Sequence, residues 1–464
     1  MIGGGVAGTY VAQRLQAARP DWSIVLFERS DRVGGRLRSI QIDGLEHPIE
    51  LGGMRFLTSH RLVQDVVTTF GIETHPFDTT GGTERSFLRG RFGKGAADPN
   101  AGAGYELPKS ELGRSALELG LAAFEQIAPG SASLDDADWS RLRATHAYLG
   151  RPLTDWSIGE ALASVLSPEG HRFVTDAFGY DSGLRAFNAA DAIQYLLGGG
   201  DPSAEARTPN AGMDLIPRTL AARFEADGGS VRLGHELRTH EVHGGVHRLR
   251  FGNGAEVVAR RLVLAVAAPA LVQLEDASPV LGTTGVRRLL DSVEAFPAAK
   301  LYLWYDRPWW GTDDPAIRLT TDLPPRKLFY FGSRSDAPAT LLAAYTDGLH
   351  TEPWRRLWDG APAGSPAPAA MLETIQENLR AIHPHVADLP PPTGSAFVLW
   401  GGDPHETGWT FWRSDIRSDD VIAAVVQPDP AVDVFICGEA FSRAQAWAEG
   451  ALESADAVVR VLSD

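Results

Sequence analysis

A single cysteine, Cys437, stands among 464 residues, so no disulfide can form within the chain and its stability has to come from packing. Long apolar runs are missing as well. The nearest candidate, Leu262 to Leu274, falls short of the roughly 18 to 20 residues of a membrane-spanning helix and is broken by Pro269. It reads as a buried strand and its exit. Basic residues are in deficit, 43 against 59 acidic ones, for a net charge of −16. That balance argues against nucleic acid or an anionic membrane surface as partner. Metal-ligand spacing is lacking: the thirteen histidines are scattered, and His383-Pro384-His385 reads as a surface turn. Internal repeats are absent, and low complexity is confined to a Pro/Ala/Gly-rich patch around Gly360 to Ala370, which reads as an exposed loop. The chain is long enough for two or three domains with ample core.

Glycine is plentiful at the start. Gly3, Gly5 and Gly8, with Val6 and Ala7 between them, keep the G-x-G-x-x-G spacing. Thr9 to Ala18 reads as the helix that follows, and Ser23 to Glu28 as a short apolar strand ending in an acid. Such glycines allow a tight turn and close approach of a pyrophosphate, the helix N-terminus attracts its charge, and Glu28 can accept ribose hydroxyls. Only Met1 and Ile2 precede the glycines, so either the natural chain starts further upstream or the first strand is very short. A cytoplasmic location is expected, with secretion left open for that reason.

Two further segments carry a resemblance. Val33-Gly34-Gly35-Arg36 resembles the extension found in flavoproteins of the amine oxidase family and favours FAD over NAD. Ile436-Cys437-Gly438-Glu439, followed by Trp447 and Ala448, is similar to the Gly-Glu segment and aromatic-headed helix of flavin amine oxidases. The resemblance implies a cofactor set of Gly3, Gly5, Val6, Ala7, Gly8, Glu28, Arg29, Gly35 and Arg36 from the start of the chain. Gly53, Met54, Arg55 and Leu237 join it from the middle, and Gly438, Glu439, Trp447 and Ala448 from the end. A helix opening near Gly450 would aim its positive end at the flavin.

Within that family the closest likeness is to L-amino acid oxidases. Leu51-Gly52-Gly53-Met54-Arg55-Phe56 is similar to a segment whose arginine holds the substrate carboxylate. An arginine fork suits this task, because it donates two parallel hydrogen bonds and stays charged. The structural alternative is an arginine paired with a nearby acid such as Glu50. Thr320 to Tyr330 resembles the family segment whose tyrosine, here Tyr330, gives its hydroxyl to the same carboxylate. In Ala298 to Trp304 a period of two puts Lys300, Tyr302 and Trp304 on one face. Lys300 matches the lysine that holds a water against flavin N5, with an exposed edge lysine as the alternative. Trp400, Asp403, Gly408 and Trp409 resemble a segment whose last position lines the pocket, and Trp447 matches the aromatic facing it.

Leu117 to Ala128, Ser157 to Leu166 and Ala189 to Leu197 carry apolar residues at helical spacing. The expected fold is therefore α/β: a discontinuous Rossmann-like FAD-binding domain (1–45, 210–294 and 425–464), a mixed-sheet substrate domain (46–108 and 295–424), and a helical insertion (109–209). The expected reaction is FAD-dependent oxidation of an L-amino acid to the 2-oxo acid, ammonia and hydrogen peroxide, with Lys300 catalytic and Arg55, Tyr330, Trp409 and Trp447 binding substrate. The partners expected are an amino acid and molecular oxygen, with a homodimer as the assembly. A flavin amino acid 2-monooxygenase, an amine or polyamine oxidase, and a flavoprotein that only binds are the alternatives.

Overall fold

The computed structural model describes residues 1–77, 83–198, 204–310, 316–332 and 335–463. Short parallel strands build the centre of the nucleotide-binding part. Val25–Phe27 pairs with Ser230–Arg232, and Leu262–Leu264 pairs with Val434–Ile436. Ile2 bridges Phe27 on one side and Leu264 on the other, and so joins the two strand pairs. The helix Val6–Ala18 packs between the helices Leu215–Ala226 and Ala448–Ser463, burying Val11, Leu15, Leu220, Leu452 and Val458 in one apolar cluster. The run from Leu262 leaves its strand at Leu264 and re-enters as the helix Ala268–Gln273, with Pro269 in the first turn where its missing N–H has no cost.

A seven-stranded mixed sheet forms the floor of the second part. Its order is Gly394–Trp400, Ala298–Tyr305, Ala339–Asp347, Lys327–Phe331, Ala316–Thr321, Thr83–Leu88 and Arg91–Gly93. All neighbours run antiparallel except Ala316–Thr321 with Thr83–Leu88. One face of this sheet buries Leu301, Leu303, Leu328 and Leu341 against the helix Ala369–Ile382, whose Met371, Ile375 and Leu379 are fully buried. The other face looks toward the helical segment and the nucleotide-binding part.

The helices Ala116–Ile127 and Ile158–Val165 each start with a capping box, Ser115 with Glu118 and Ser157 with Glu160. Each box satisfies two otherwise orphaned backbone donors. Boundaries depart from the sequence expectation at one strand. Ala206–Pro209 pairs with Phe56–Leu57 and Thr74–Pro76, so the end of the expected helical insertion is sheet. His383 is a second departure. It is buried rather than in a surface turn, because it closes the helix Ala369–Ile382 against the sheet. Among the described residues no helix is long and apolar enough to cross a membrane.

Candidate active site

A cavity of about 420 Å³ runs from the glycine turn to the large sheet. Gly5, Val6 and Ala7 line it at the N-terminus of the first helix, whose opening turn carries no acid to compete for an anion. Gly3 lines it too and has φ +102°; a Cβ there would lie 2.3 Å from the Ala265 carbonyl oxygen. Gly8 stands behind the turn, where a Cβ would lie 1.9 Å from the Gly3 carbonyl oxygen. At Gly5 a Cβ would meet nothing within 4 Å, so the backbone is open where a pyrophosphate would approach. Glu28 accepts from Gly4 N–H at 2.7 Å and from the Ser30 N–H and hydroxyl at 2.9 Å, which fixes its carboxylate at the rim. Leu237, Gly35, Gly53, Gly438 and Ala448 complete the walls. A dinucleotide fits these residues.

Three ion pairs brace this cavity. Arg29 reaches Asp403 at 3.2 Å and Glu406 at 3.0 Å, tying the segment before Trp409 to the nucleotide end. Arg36 donates to Glu439 at 2.9 Å and to the Gly408 carbonyl at 3.2 Å. Glu439 also accepts from Thr410 and from Ala446 N–H at 2.7 Å. Its carboxylate therefore organises the protein around the cavity, and the residue meets the cavity as part of the wall.

Lys300 lines the cavity floor and is 2 % exposed, so it is not an edge lysine. Its Nζ donates to the Glu50 carbonyl at 3.0 Å and the Gly52 carbonyl at 2.5 Å, and lies 4.7 Å from the Tyr345 ring centroid. Tyr302, on the same strand face, donates to the Glu50 carbonyl at 2.9 Å. Burial pushes the lysine down to about 7 against the attraction of Glu50, and burial pushes Glu50 up to about 7.

A second cavity of about 140 Å³ adjoins the first, and the two share Gly53, Tyr345, Trp409, Trp447 and Ala448 as walls. Arg55 and Met54 line it. The guanidinium lies 5.2 Å from the Phe77 ring and 5.9 Å from the Phe329 ring. Its Nη1 is buried and has no hydrogen-bond partner. Glu50 does not serve as one: its carboxylate accepts from Ser39 Oγ and Met213 N–H, both at 2.8 Å. The guanidinium thus stands desolvated with an open donor, a state that favours capture of an anion.

Tyr330 has to be corrected. Its hydroxyl bonds His383 Nε2 at 2.7 Å, among Trp310 and the helix-packed face of the sheet, away from Arg55. Strand alternation gives the reason: Phe329 faces Arg55, so its neighbour must face the other way. The phenols on the cavity side are Tyr345, Tyr180 and Tyr195. Burial raises all three, so they serve as hydrogen-bond donors and not as bases.

Sequence reasoning missed these three, although Tyr345 could have been found. It pairs in register with Lys300 on the adjacent strand. Tyr180 and Tyr195 come from the helical segment, which carries no motif. The helix Pro168–Phe178 ends at Gly179, φ +83°, and the left-handed turn delivers Tyr180 to the cavity. Trp409 donates its indole N–H to Ser182 Oγ at 2.9 Å, and Trp447 donates to the Tyr195 hydroxyl at 3.1 Å. The arrangement offers one chemistry: an anion reader, aromatic walls, and a buried amine beside a dinucleotide cradle.

Residues 6–463 match the family model described as flavin containing amine oxidoreductase. Aplysianin-A of Aplysia kurodai is 27 % identical, over 99 % of this chain and 89 % of its own length. Achacin of Lissachatina fulica is 25 % identical, over 99 % and 91 %. An L-amino-acid oxidase of Mus musculus is 26 % identical, over 88 % of this chain and 61 % of its own. Among solved structures, a redesigned putrescine oxidase superposes with a TM-score of 0.75 at 15 % identity, covering 100 % of this chain and 98 % of the other.

Proposed function

We infer the reaction from the premise that this chain belongs to the flavin-containing amine oxidoreductases, whose pattern spans nearly all of it. The chain is an FAD-dependent oxidoreductase. The reading the site supports best is oxidative deamination of an L-amino acid to the 2-oxo acid, ammonia and hydrogen peroxide. One observation carries it: Arg55 is a half-buried cation lining a cavity, its Nη1 is buried without a partner, and a substrate carboxylate supplies the missing partner. An amine without a carboxylate would leave that cation unmatched.

The Gly3–Ala7 turn, Glu28, Leu237, Gly438 and Ala448, which line the larger cavity, would hold FAD, and the cofactor would supply hydride acceptance from the substrate and electron transfer to oxygen. The chain's own residues do the rest. Arg55 fixes the carboxylate, with the Tyr345 and Tyr180 hydroxyls at hand as further donors. Trp409 and Trp447 form two walls that limit rotation about Cα. The Cα hydrogen can leave as hydride only from a neutral amine, whose lone pair supplies the electrons of the imine. Burial and the nearby cations Arg55 and Lys300 both disfavour the ammonium, so the site lowers the proton affinity of the substrate amine without a side-chain base. Water then converts the imino acid to the 2-oxo acid and ammonia.

The side-chain end is also informative. Phe178, Tyr180, Tyr195 and Phe411 wall the smaller cavity, and none of the described residues lining it is an acid. A cationic side chain would sit beside Arg55 with no partner. The preferred substrate therefore has a neutral, apolar or aromatic side chain. The test compares each such amino acid with the amine of the same side chain, measuring peroxide and ammonia. Equal amounts of both products from the amino acid and little from the amine are expected. Oxidation of the amine as well or better would make this an amine oxidase, and an amide product would make it a monooxygenase.

A further inference from the structure

The buried acid next to the flavin site has no role in the scheme above. Glu50 is 7 % exposed, closes a two-residue strand pair with Ser39–Ile40, and precedes the glycines that line the cavity. Its main-chain carbonyl receives both Lys300 Nζ and the Tyr302 hydroxyl. Its carboxylate is held by Ser39 Oγ and Met213 N–H. Gly212 makes room for it, since a Cβ there would lie 3.1 Å from Glu50 Oε1 and 2.4 Å from Ser39. Two neutral donors and a glycine thus fix an acid at a point where an apolar residue would fill the same space.

We propose that Glu50 is the positioning residue for Lys300: its main chain sets where the lysine nitrogen sits, and its carboxylate sets the charge that nitrogen presents to the flavin. This rests on the reading of Lys300 as the amine facing the flavin. The charges around the pair are few. Lys300 feels Glu50 and Arg55, and Tyr345 and Tyr302 lie against it. Glu50 feels Lys300 and Asp214. Arg55 opposes protonation of the lysine, and Glu50 is the acid that offsets it. Asp214 raises the proton affinity of Glu50 and Lys300 lowers it, so protonation of either member of the pair disfavours protonation of the other.

The test uses the holoenzyme and three variants, Glu50→Gln, Lys300→Met and the pair combined. The flavin absorbance is titrated from pH 5 to 10 without substrate. Wild type is expected to show a step that Lys300→Met loses, and Glu50→Gln is expected to move it to lower pH by a unit or more, a tenfold loss of proton affinity. Glu50→Asp should return it toward the wild-type position. A wild-type step in Lys300→Met would overturn the reading of Lys300 and this inference with it. A wild-type step in Glu50→Gln, with the step lost in Lys300→Met, would overturn this inference alone. Urea unfolding at pH 7 decides independently of the flavin. Glu50→Gln should lower the midpoint more in the wild-type background than in the Lys300→Met background. Equal losses in both would mean that Glu50 only holds Ser39 and Met213, and the proposal would fall.

Discussion

Replacing Arg55 by methionine separates a substrate reader from a structural arginine, because the two roles have opposite consequences for stability. The guanidinium is desolvated and its Nη1 has no partner, while Phe77 and Phe329 supply only ring contacts. Two such contacts are worth about 0.5 to 2 kcal/mol each. Removing a desolvated charge whose Nη1 has no partner returns a comparable amount, so Arg55→Met should unfold in urea within about 1 kcal/mol of the parent. Catalysis should behave differently. A carboxylate about 4 Å from the guanidinium gains about 4 kcal/mol at an effective dielectric of ~20. Loss of that interaction corresponds to a fall in kcat/KM of roughly a thousandfold. The assay is peroxide release against amino acid concentration, beside urea melts of both proteins. A variant that loses several kcal/mol of stability would show that Arg55 has a structural partner, and the reasoning would fail. So would one that keeps kcat/KM within a factor of a few.

Three other outcomes are expected. Tyr345→Phe should lower kcat/KM by about tenfold, in line with one lost hydrogen bond to a charged group, whereas Tyr330→Phe should leave steady-state kinetics unchanged and lower stability by about 1 kcal/mol through His383. Added FAD should raise the melting temperature of stripped protein, since a ligand bound only by the folded state stabilises it; a colourless protein indifferent to FAD would refute the cradle. Lys327 lies buried over the Tyr180 ring at 4.8 Å, and burial pushes it down to about 7 from 10.5. The unfolded chain then binds more protons between those values, so the cost of Lys327 is full below pH 7 and fades as pH rises to 10.5. Lys327→Met should be more stable than the parent at pH 6.5, by a margin in urea midpoint that narrows at pH 8 and again at 9.5.

Local signals carried the sequence reading as far as local physics reaches. The glycine turn was legible because Gly3 and Gly8 answer to backbone contacts that no other residue tolerates. Arg55 and Lys300 are picked out by their resemblance to family segments, Lys300 also by its place among aromatics, and each lines one of the two cavities. Strand parity was not legible. Tyr330 and Phe329 differ by one position, and Phe329 is the one that faces Arg55, on a strand whose register shifts between Lys327 and Phe329 with no propensity to announce it. Tyr180, Ser182 and Tyr195 were invisible for another reason. Their segment meets Trp409 and Trp447 across more than two hundred residues of sequence, through hydrogen bonds that leave no periodic trace. His383 misled because a His-Pro-His run has the composition of a turn, while its burial is decided by Tyr330 from a distant strand.

The two indole hydrogen bonds have a consequence for engineering. Trp409 and Trp447 come from separate segments, yet each is latched to the same stretch of the helical segment, at Ser182 and at Tyr195. A chimera that imports residues 178–195 from a relative, to change which side chains are accepted, would also exchange both latches. Such a graft has to bring its own partners for positions 409 and 447. Without them it would loosen the walls of the reaction chamber while leaving Arg55 and Lys300 in place, and the product would bind carboxylates but hold Cα badly.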